Sequence, residues 1–269
     1  MSQQFFSTMQ WPAEAIWSEV EPLWSGFSVE VLPELGSTNT ELMERARLGQ
    51  MYPTLLVAEQ QTAGRGRMGK SWNSHQVPGA SLTFSLGLPM SGCNLSGLSL
   101  VVGYTLADAL DPQHQHGITL KWPNDLWLQE RKLGGILVEV CSLGAQRYVV
   151  IGIGLNILPA PSLPAPVPGQ VQPMPPACLQ ELDPHCSAPS VLQRIASPLA
   201  RALQQFTHQG FAAWQPWFSQ RDALTGREVW LSDGSQGQAL GVDAQGGLRI
   251  ATPHGERTII SDEISIRPL

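Results

Sequence analysis

The sequence predicts an α+β fold followed by a small all-β domain. Three observations predict it. Between residues 54 and 155, short strand-like runs dominate, with helix-spaced apolar stretches beside them. After residue 224 the strand-like pieces are shorter and are separated by Asp233-Gly234, Gly246-Gly247 and His254-Gly255, which are hairpin signals. Hydrophobic residues make up 42% of the chain and charged residues only 14%, the balance of a packed globule rather than a disordered chain. At 269 residues the chain has room for one or two domains. The expected division is residues 1–224 and a barrel-type β domain over 225–269.

The elements follow in order. The first 27 residues are rich in Trp and Gln and weakly patterned, with a short helix or two expected around Ala13 to Leu23. Val29 and Val31 alternate with polar neighbours, a strand signal. Ser37-Thr38-Asn39-Thr40-Glu41 then opens a helix, with Thr38 as cap and Glu41 reaching back in a capping box. Leu42, Met43, Ala46 and Leu48 supply its apolar stripe, and Gly49 ends it. Thr54 to Glu59 reads as a buried strand, and Ser81 to Leu86 alternates like another. Leu95 to Leu110 has helical spacing. Ile118 to Trp122, Asp125 to Leu128, Leu133 to Cys141 and Tyr148 to Leu155 form a run of strands. From Pro159 to Pro189, ten prolines and no Lys or Arg predict a long loop or a partly disordered excursion. Val191 to Thr207 and Phe211 to Leu224 read as helices.

Composition narrows the function. A net charge of −6 argues against a generic nucleic-acid binder, although a local basic patch is compatible with it. Cys93, Cys141, Cys178 and Cys186 contain no CxxC pair, so neither a disulfide framework nor a zinc site is expected, which fits a reducing cytoplasm. No apolar run approaches the roughly 18 residues that span a membrane, and no secretory signal opens the chain.

Four segments carry chemistry. The first is Gln60-Gln61-Thr62-Ala63-Gly64-Arg65-Gly66-Arg67-Met68-Gly69-Lys70-Ser71-Trp72, whose glycines deny it a stable helix and make it a mobile cationic loop. It contains both GxGxxG and GxxxxGK[ST], but both nucleotide motifs need a helix immediately afterwards, and Asn73 to Gly79 is no helix. Arg65, Arg67 and Lys70 suit a polyanion such as a triphosphate; the bland alternative is a solvated basic loop. The second is Lys121-Trp122-Pro123-Asn124-Asp125, where Pro123 breaks the strand and leaves Asn124 and Asp125 at a turn, either aimed into a site or forming an Asx turn. The third is Arg131-Lys132-Leu133-Gly134-Gly135, where adjacent glycines allow a ligand close to the backbone. The fourth, Gly152-Ile153-Gly154-Leu155-Asn156, ends an apolar strand and follows the same logic, with a bulge as its alternative.

Together with Ser37-Thr38-Asn39, these segments resemble one family, the biotin protein ligases. The family pattern is an STN-type helix start, a GRGRxGRxW loop, KWPND, KxxGIL, GIGxN and a small C-terminal β domain. This chain resembles it in order and spacing over about residues 29–269, in a short form without the N-terminal DNA-binding domain. Lys70 stands where the loop often has Arg, which keeps the charge, and the 159–189 segment is unusually long and proline-rich. The resemblance implies a mixed-sheet catalytic domain of the biotin/lipoate ligase type with an SH3-like C-terminal barrel. It implies formation of biotinyl-5′-AMP from biotin and ATP with Mg²⁺, then transfer of biotin to a lysine of a biotin carboxyl carrier protein.

By the same resemblance, Ser37, Thr38, Asn39, Gln61, Gly64, Arg65, Gly66, Arg67, Lys132, Gly135, Gly152 and Gly154 bind biotin. Arg67, Lys70, Trp72, Asn124, Lys132, Asn156 and Arg267 contact ATP or the adenylate. Lys132, Arg67 and Asp125 are the catalytic candidates, with Lys132 as main catalytic cation and Arg67 retaining the intermediate; the Mg²⁺ ligands stay unassigned. No nucleic acid and no membrane is expected as partner, and the resemblance allows a homodimer. The alternatives are a lipoate–protein ligase-like enzyme and a non-catalytic biotin-binding protein. His114 and His116, and Cys178 with His185 and Cys186, read as solvated or structural rather than metal-binding, and Trp214 and Trp217 as core.

Overall fold

The computed structural model describes residues 9–72, 77–160, 174–262 and 264–265. Of the sequence-based readings, Arg267, Asn73 to Gln76 and the stretch 161–173 of the proline-rich segment lie outside these residues. The main body is a seven-stranded mixed sheet in the order β1-β2-β3-β7-β6-β5-β4. Its strands are β1 (Ser28–Leu35), β2 (Thr54–Gln61), β3 (Ser81–Pro89), β4 (Ile118–Lys121), β5 (Asp125–Leu128), β6 (Arg131–Leu143) and β7 (Gln146–Asn156). β1 and β2 run parallel, joined through helix α2 (Thr38–Arg47), and every other pairing is antiparallel.

Helices cover both faces. On one face α1 (Ala13–Val20), α3 (Leu98–Leu110) and α4 (Ala188–Gln209) bury Ile16, Val101, Leu106, Ile195, Leu199 and Phe206 against the sheet. On the other, α2 presses Leu42, Met43 and Ala46 onto Leu56, Tyr148 and Val150. The two faces explain why the central strands are nearly continuous apolar runs. Gly87 is needed in β3 because a Cβ there would lie 2.0 Å from the Tyr148 hydroxyl.

Four local readings are corrected. Ser37, not Thr38, caps α2: its hydroxyl accepts from Thr40 N, while Glu41 turns to Arg45 at 2.8 Å. The helix read over Phe211 to Leu224 shrinks to α5 (Gln215–Ser219). Residues beyond it pair instead with the open edge of β4: Leu120 N donates to Arg221 O (2.7 Å) and Ala223 N to Leu120 O (2.9 Å), which covers an otherwise exposed sheet edge. The proline-rich segment gives way to α4 at Ala188, because Ser187 caps the helix and Pro189 fits its first turn. Trp214 packs on the core, but Trp217 is 51% exposed beside Tyr104.

The C-terminal region forms a second, four-stranded antiparallel sheet, β11-β10-β9-β8, from β8 (Glu228–Trp230), β9 (Gln236–Val242), β10 (Leu248–Thr252) and β11 (Gly255–Ile259), consistent with the SH3-like expectation. The three hairpin signals fall at its turns, with Gly234, Gly246 and Gly255 all at positive φ. Among the described residues no helix is long and apolar enough to cross a membrane.

Candidate active site

A cavity of about 320 Å³ opens where the first sheet, the arginine loop and the C-terminal sheet meet. All four motif segments and the start of α2 reach it. Its walls include Ser37, Thr38, Asn39, Gln61, Arg65, Gly66, Arg67, Lys70, Trp72, Asn124, Asp125, Lys132, Gly135, Gly152 and Gly154, residues far apart in the chain.

One end is a buried polar pocket. Gln61 Oε1 accepts from Thr38 N (2.8 Å) and lies 3.2 Å from Thr38 Oγ1. The Ser85 hydroxyl lies 2.7 Å from Thr38 Oγ1 and 2.6 Å from Asn39 Oδ1. Asn39 Nδ2 donates to Leu137 O (3.3 Å) and Glu139 Oε2 (3.0 Å). Gly152 makes room for this amide, since a Cβ there would lie 2.1 Å from Asn39 Oδ1.

The other end is cationic. Lys132 Nζ donates to Asp125 Oδ1 at 2.7 Å and sits 6.0 Å from the Trp72 ring centre. Gly135 faces this lysine, since a Cβ there would be 3.3 Å from Nζ, whereas Gly134 faces Leu155 in the core. Asp125 is placed by the Asn124 turn, where Asn124 Nδ2 donates to Ile136 O (2.8 Å) and Ile136 N to Asn124 O (3.0 Å). Arg67 reaches Asn124 Oδ1 (3.4 Å) and Ser261 Oγ (2.9 Å), and Arg65 pairs with Glu139 at 3.0 Å. The loop itself is a narrow hairpin: Gly66 N donates to Lys70 O and Trp72 N to Gly64 O around a single 3-10 turn at Arg67–Gly69. Trp72 lies flat against Gly154, and its Nε1 is buried without a hydrogen-bond partner.

Two expected residues, Gly64 and Asn156, fall elsewhere. Gly64 belongs to the neck of the loop hairpin, where a Cβ would lie 2.5 Å from Trp72 O, and it is not on the cavity wall. Asn156 is buried behind the wall, with Nδ2 donating to Ala177 O (3.0 Å) and Lys132 O (3.3 Å), so it braces the backbone of Lys132. Arg267 lies outside the described residues. Conversely, Met68, Phe84, Ile136, Asp262, Ile264 and Ser265 line the cavity without having been singled out. Lys121 and Trp122 also reach it; Trp122 is 1% exposed and its Nε1 donates to Gly246 O (2.9 Å) in the C-terminal sheet. Among the described residues no group of His, Cys, Asp and Glu gathers to hold a metal ion.

Comparison with known proteins identifies the family. Residues 31–156 match the Biotin/lipoate A/B protein ligase family. The chain is 33% identical over 248 residues to the bifunctional ligase/repressor BirA of Escherichia coli, covering 90% of this chain and 75% of that longer protein. It is 32% identical to the biotin–[acetyl-CoA-carboxylase] ligase of Paracoccus denitrificans, over 87% of this chain and 98% of that one. The biotin protein ligase of Aquifex aeolicus, solved in complex with biotin and ATP, superposes with a TM-score of 0.71 at 30% identity, over 89% and 98% of the two chains. Fold and site together define a ligase enzyme. The chain belongs to the Biotin/lipoate A/B protein ligase family, and its near-full-length likeness is to the biotin protein ligases.

Proposed function

We propose that this enzyme joins biotin to ATP, forming biotinyl-5′-AMP and pyrophosphate, and then transfers biotin to a lysine of a biotin carboxyl carrier protein. The supporting observation is the single cavity that holds a buried donor–acceptor pocket at one end and Lys132, Arg67 and Lys70 at the other. A cyclic urea needs the first end; a carboxylate meeting a triphosphate needs the second.

In the first step a carboxylate oxygen attacks the α-phosphorus. The bond to the β-phosphate oxygen breaks, and pyrophosphate leaves with the electron pair. Both reactants are anions, so fixed cations must stand where negative charge accumulates. Lys132 takes that role, aimed by its 2.7 Å contact with Asp125. Arg67, tied to Asn124 and Ser261, stands over the activated phosphate and retains the adenylate. In the second step a neutral lysine amine attacks the acyl carbon, AMP leaves, and the amine loses a proton. Trp72 and the loop shield the anhydride from water between the steps.

Ser37, Thr38, Gln61, Gly66, Gly135, Gly152 and Gly154 form the biotin end, with Asn39 as its fixed post and Arg65 at its rim. Lys70, Trp72 and Asn124 face the nucleotide. Mg²⁺ enters as the counter-ion of the triphosphate, since the described cavity offers only the carboxylates of Asp125 and Asp262. We assign residues 225–269 as the C-terminal β domain, a cytoplasmic location, and a homodimer as the assembly to be tested.

The test is biotin-dependent exchange of labelled pyrophosphate into ATP, with lipoate in parallel. Exchange with biotin alone supports the proposal. Exchange with lipoate alone reassigns the substrate, and biotin binding without exchange refutes the catalytic roles.

A further inference from the structure

We infer that Glu139 is a positioning residue that anchors the arginine loop and ties it to the polar pocket. It lies on β6, outside all of the motifs. Its carboxylate holds two partners that belong to different elements: Arg65 of the loop, through Nη2–Oε1 at 3.0 Å and Nη1–Oε2 at 3.2 Å, and Asn39 of α2, through Nδ2–Oε2 at 3.0 Å.

The hydrogen-bond inventory gives this chain a direction. Asn39 Oδ1 is an acceptor only, so the single Ser85 hydroxyl hydrogen goes to it. The 2.7 Å contact between Ser85 and Thr38 must then be made by the Thr38 hydroxyl hydrogen. Donation therefore runs Thr38 to Ser85 to Asn39 to Glu139, where the Arg65 guanidinium meets it from the other side. Serial hydrogen bonds polarise one another, and an anionic end strengthens the series. A ligand group that draws on Thr38 acts on the same series that holds Arg65. Glu139 is thus the point where the biotin pocket and the loop that covers it share one charge. This role rests on the function proposed above; the anchoring itself does not.

The test uses the full chain and two readouts. Arg65, Arg67 and Lys70 make the loop a trypsin target, so ligand-free cleavage there measures the anchor independently of the reaction. Retention of labelled biotinyl-AMP measures its use. Glu139→Gln keeps shape and the Asn39 contact but removes the charge. It should raise loop cleavage and adenylate release by about two- to five-fold, the range for a half-exposed ion pair. In an Arg65→Met background, where Arg67 and Lys70 are still cut, Glu139→Gln should add almost nothing.

Equal acceleration in both backgrounds would mean general loosening and would overturn the anchor, as would unchanged cleavage by Glu139→Gln. Faster cleavage in a wild-type protein background that performs no exchange would sustain the anchor and refute the reaction. Glu139→Asp serves as control, because a shortened carboxylate should restore part of the protection in the presence of Arg65 only.

Discussion

Gly152 and Gly154 stand two residues apart on one face of β7, yet alanine should do opposite things at the two positions. Neither has a positive φ, so the backbone accepts alanine at both, and only the neighbours differ. At Gly152 the new methyl would lie 2.1 Å from Asn39 Oδ1 and 2.8 Å from its Cγ. Asn39 cannot yield: it is 3% exposed, and Ser85, Leu137 and Glu139 hold its amide. Displacing it breaks two or three hydrogen bonds at about 1 kcal/mol each and adds about 1–3 kcal/mol of overpacking. The expected loss is roughly 3–6 kcal/mol, a fall in Tm of about 10 °C or more for a chain of this size. At Gly154 the methyl would meet the Trp72 ring at 2.4–2.9 Å. That ring is half-buried on a loop, and its Nε1 bonds to nothing, so it can swing outward. The stability cost there is about 1 kcal/mol of lost ring burial. Adenylation, which needs the ring over the cavity, should fall at least about ten-fold, as for other displaced site residues. Thermal melting and pyrophosphate exchange on both variants decide the matter. A Gly152→Ala protein that melts like wild type, or a Gly154→Ala protein that melts lower than Gly152→Ala, would refute the reasoning.

Lys132→Ala should abolish nearly all pyrophosphate exchange while leaving the melting temperature almost unchanged, because the lysine is half-exposed; wild-type-like turnover would remove it from the chemistry. Arg67→Gly should release biotinyl-AMP, measured as labelling of lysines on a bystander protein, and a protein with no such labelling would clear Arg67 of retention. Burial holds the Tyr148 hydroxyl up at about 12, above the 10.0 of a free tyrosine. The unfolded chain therefore loses this proton first, so stability present below pH 10 should decline by up to roughly 3 kcal/mol as pH rises from 10 to 12. Tyr148→Phe should flatten that decline in urea titrations, and an equally steep decline in the variant would assign it to other groups.

The cavity was legible because its main walls are backbone-driven. Glycines at 135, 152 and 154 and the proline at 123 leave marks in sequence that a site needs and a core does not. Ser85 and Glu139 left fainter marks. Ser85 is one of three hydroxyl residues along β3, and Glu139 is the acid in the apolar stretch of β6; which partners they take only the fold reveals. Asp262, Ile264 and Ser265 had no sequence signal, because the packing of the second sheet against the first brings them in. The misread helix over 211–224 failed for a similar reason. Its helical periodicity competed with an unpaired strand edge, and the edge took the backbone of Arg221 to Ala223. Asn156 was read by its motif neighbours, but β7 register points it at Ala177.

The bond from Trp122 to Gly246 O has one more consequence. Gly246 sits so close to Gly97, at the start of α3, that a methyl on it would lie 2.8 Å from Gly97 Cα. Val229, Ala239, Val242, Leu248 and Ile250 of the small sheet belong to the same apolar cluster as Leu100 and Trp122. The two sheets are therefore distinct in topology but not in cooperativity. Heating or urea should melt them in one transition, and amides of β9 and β10 should exchange as slowly as those of the large sheet. A chain cut short before β8 would not be a smaller enzyme but an opened core, with the tryptophan of the KWPND turn as its exposed floor.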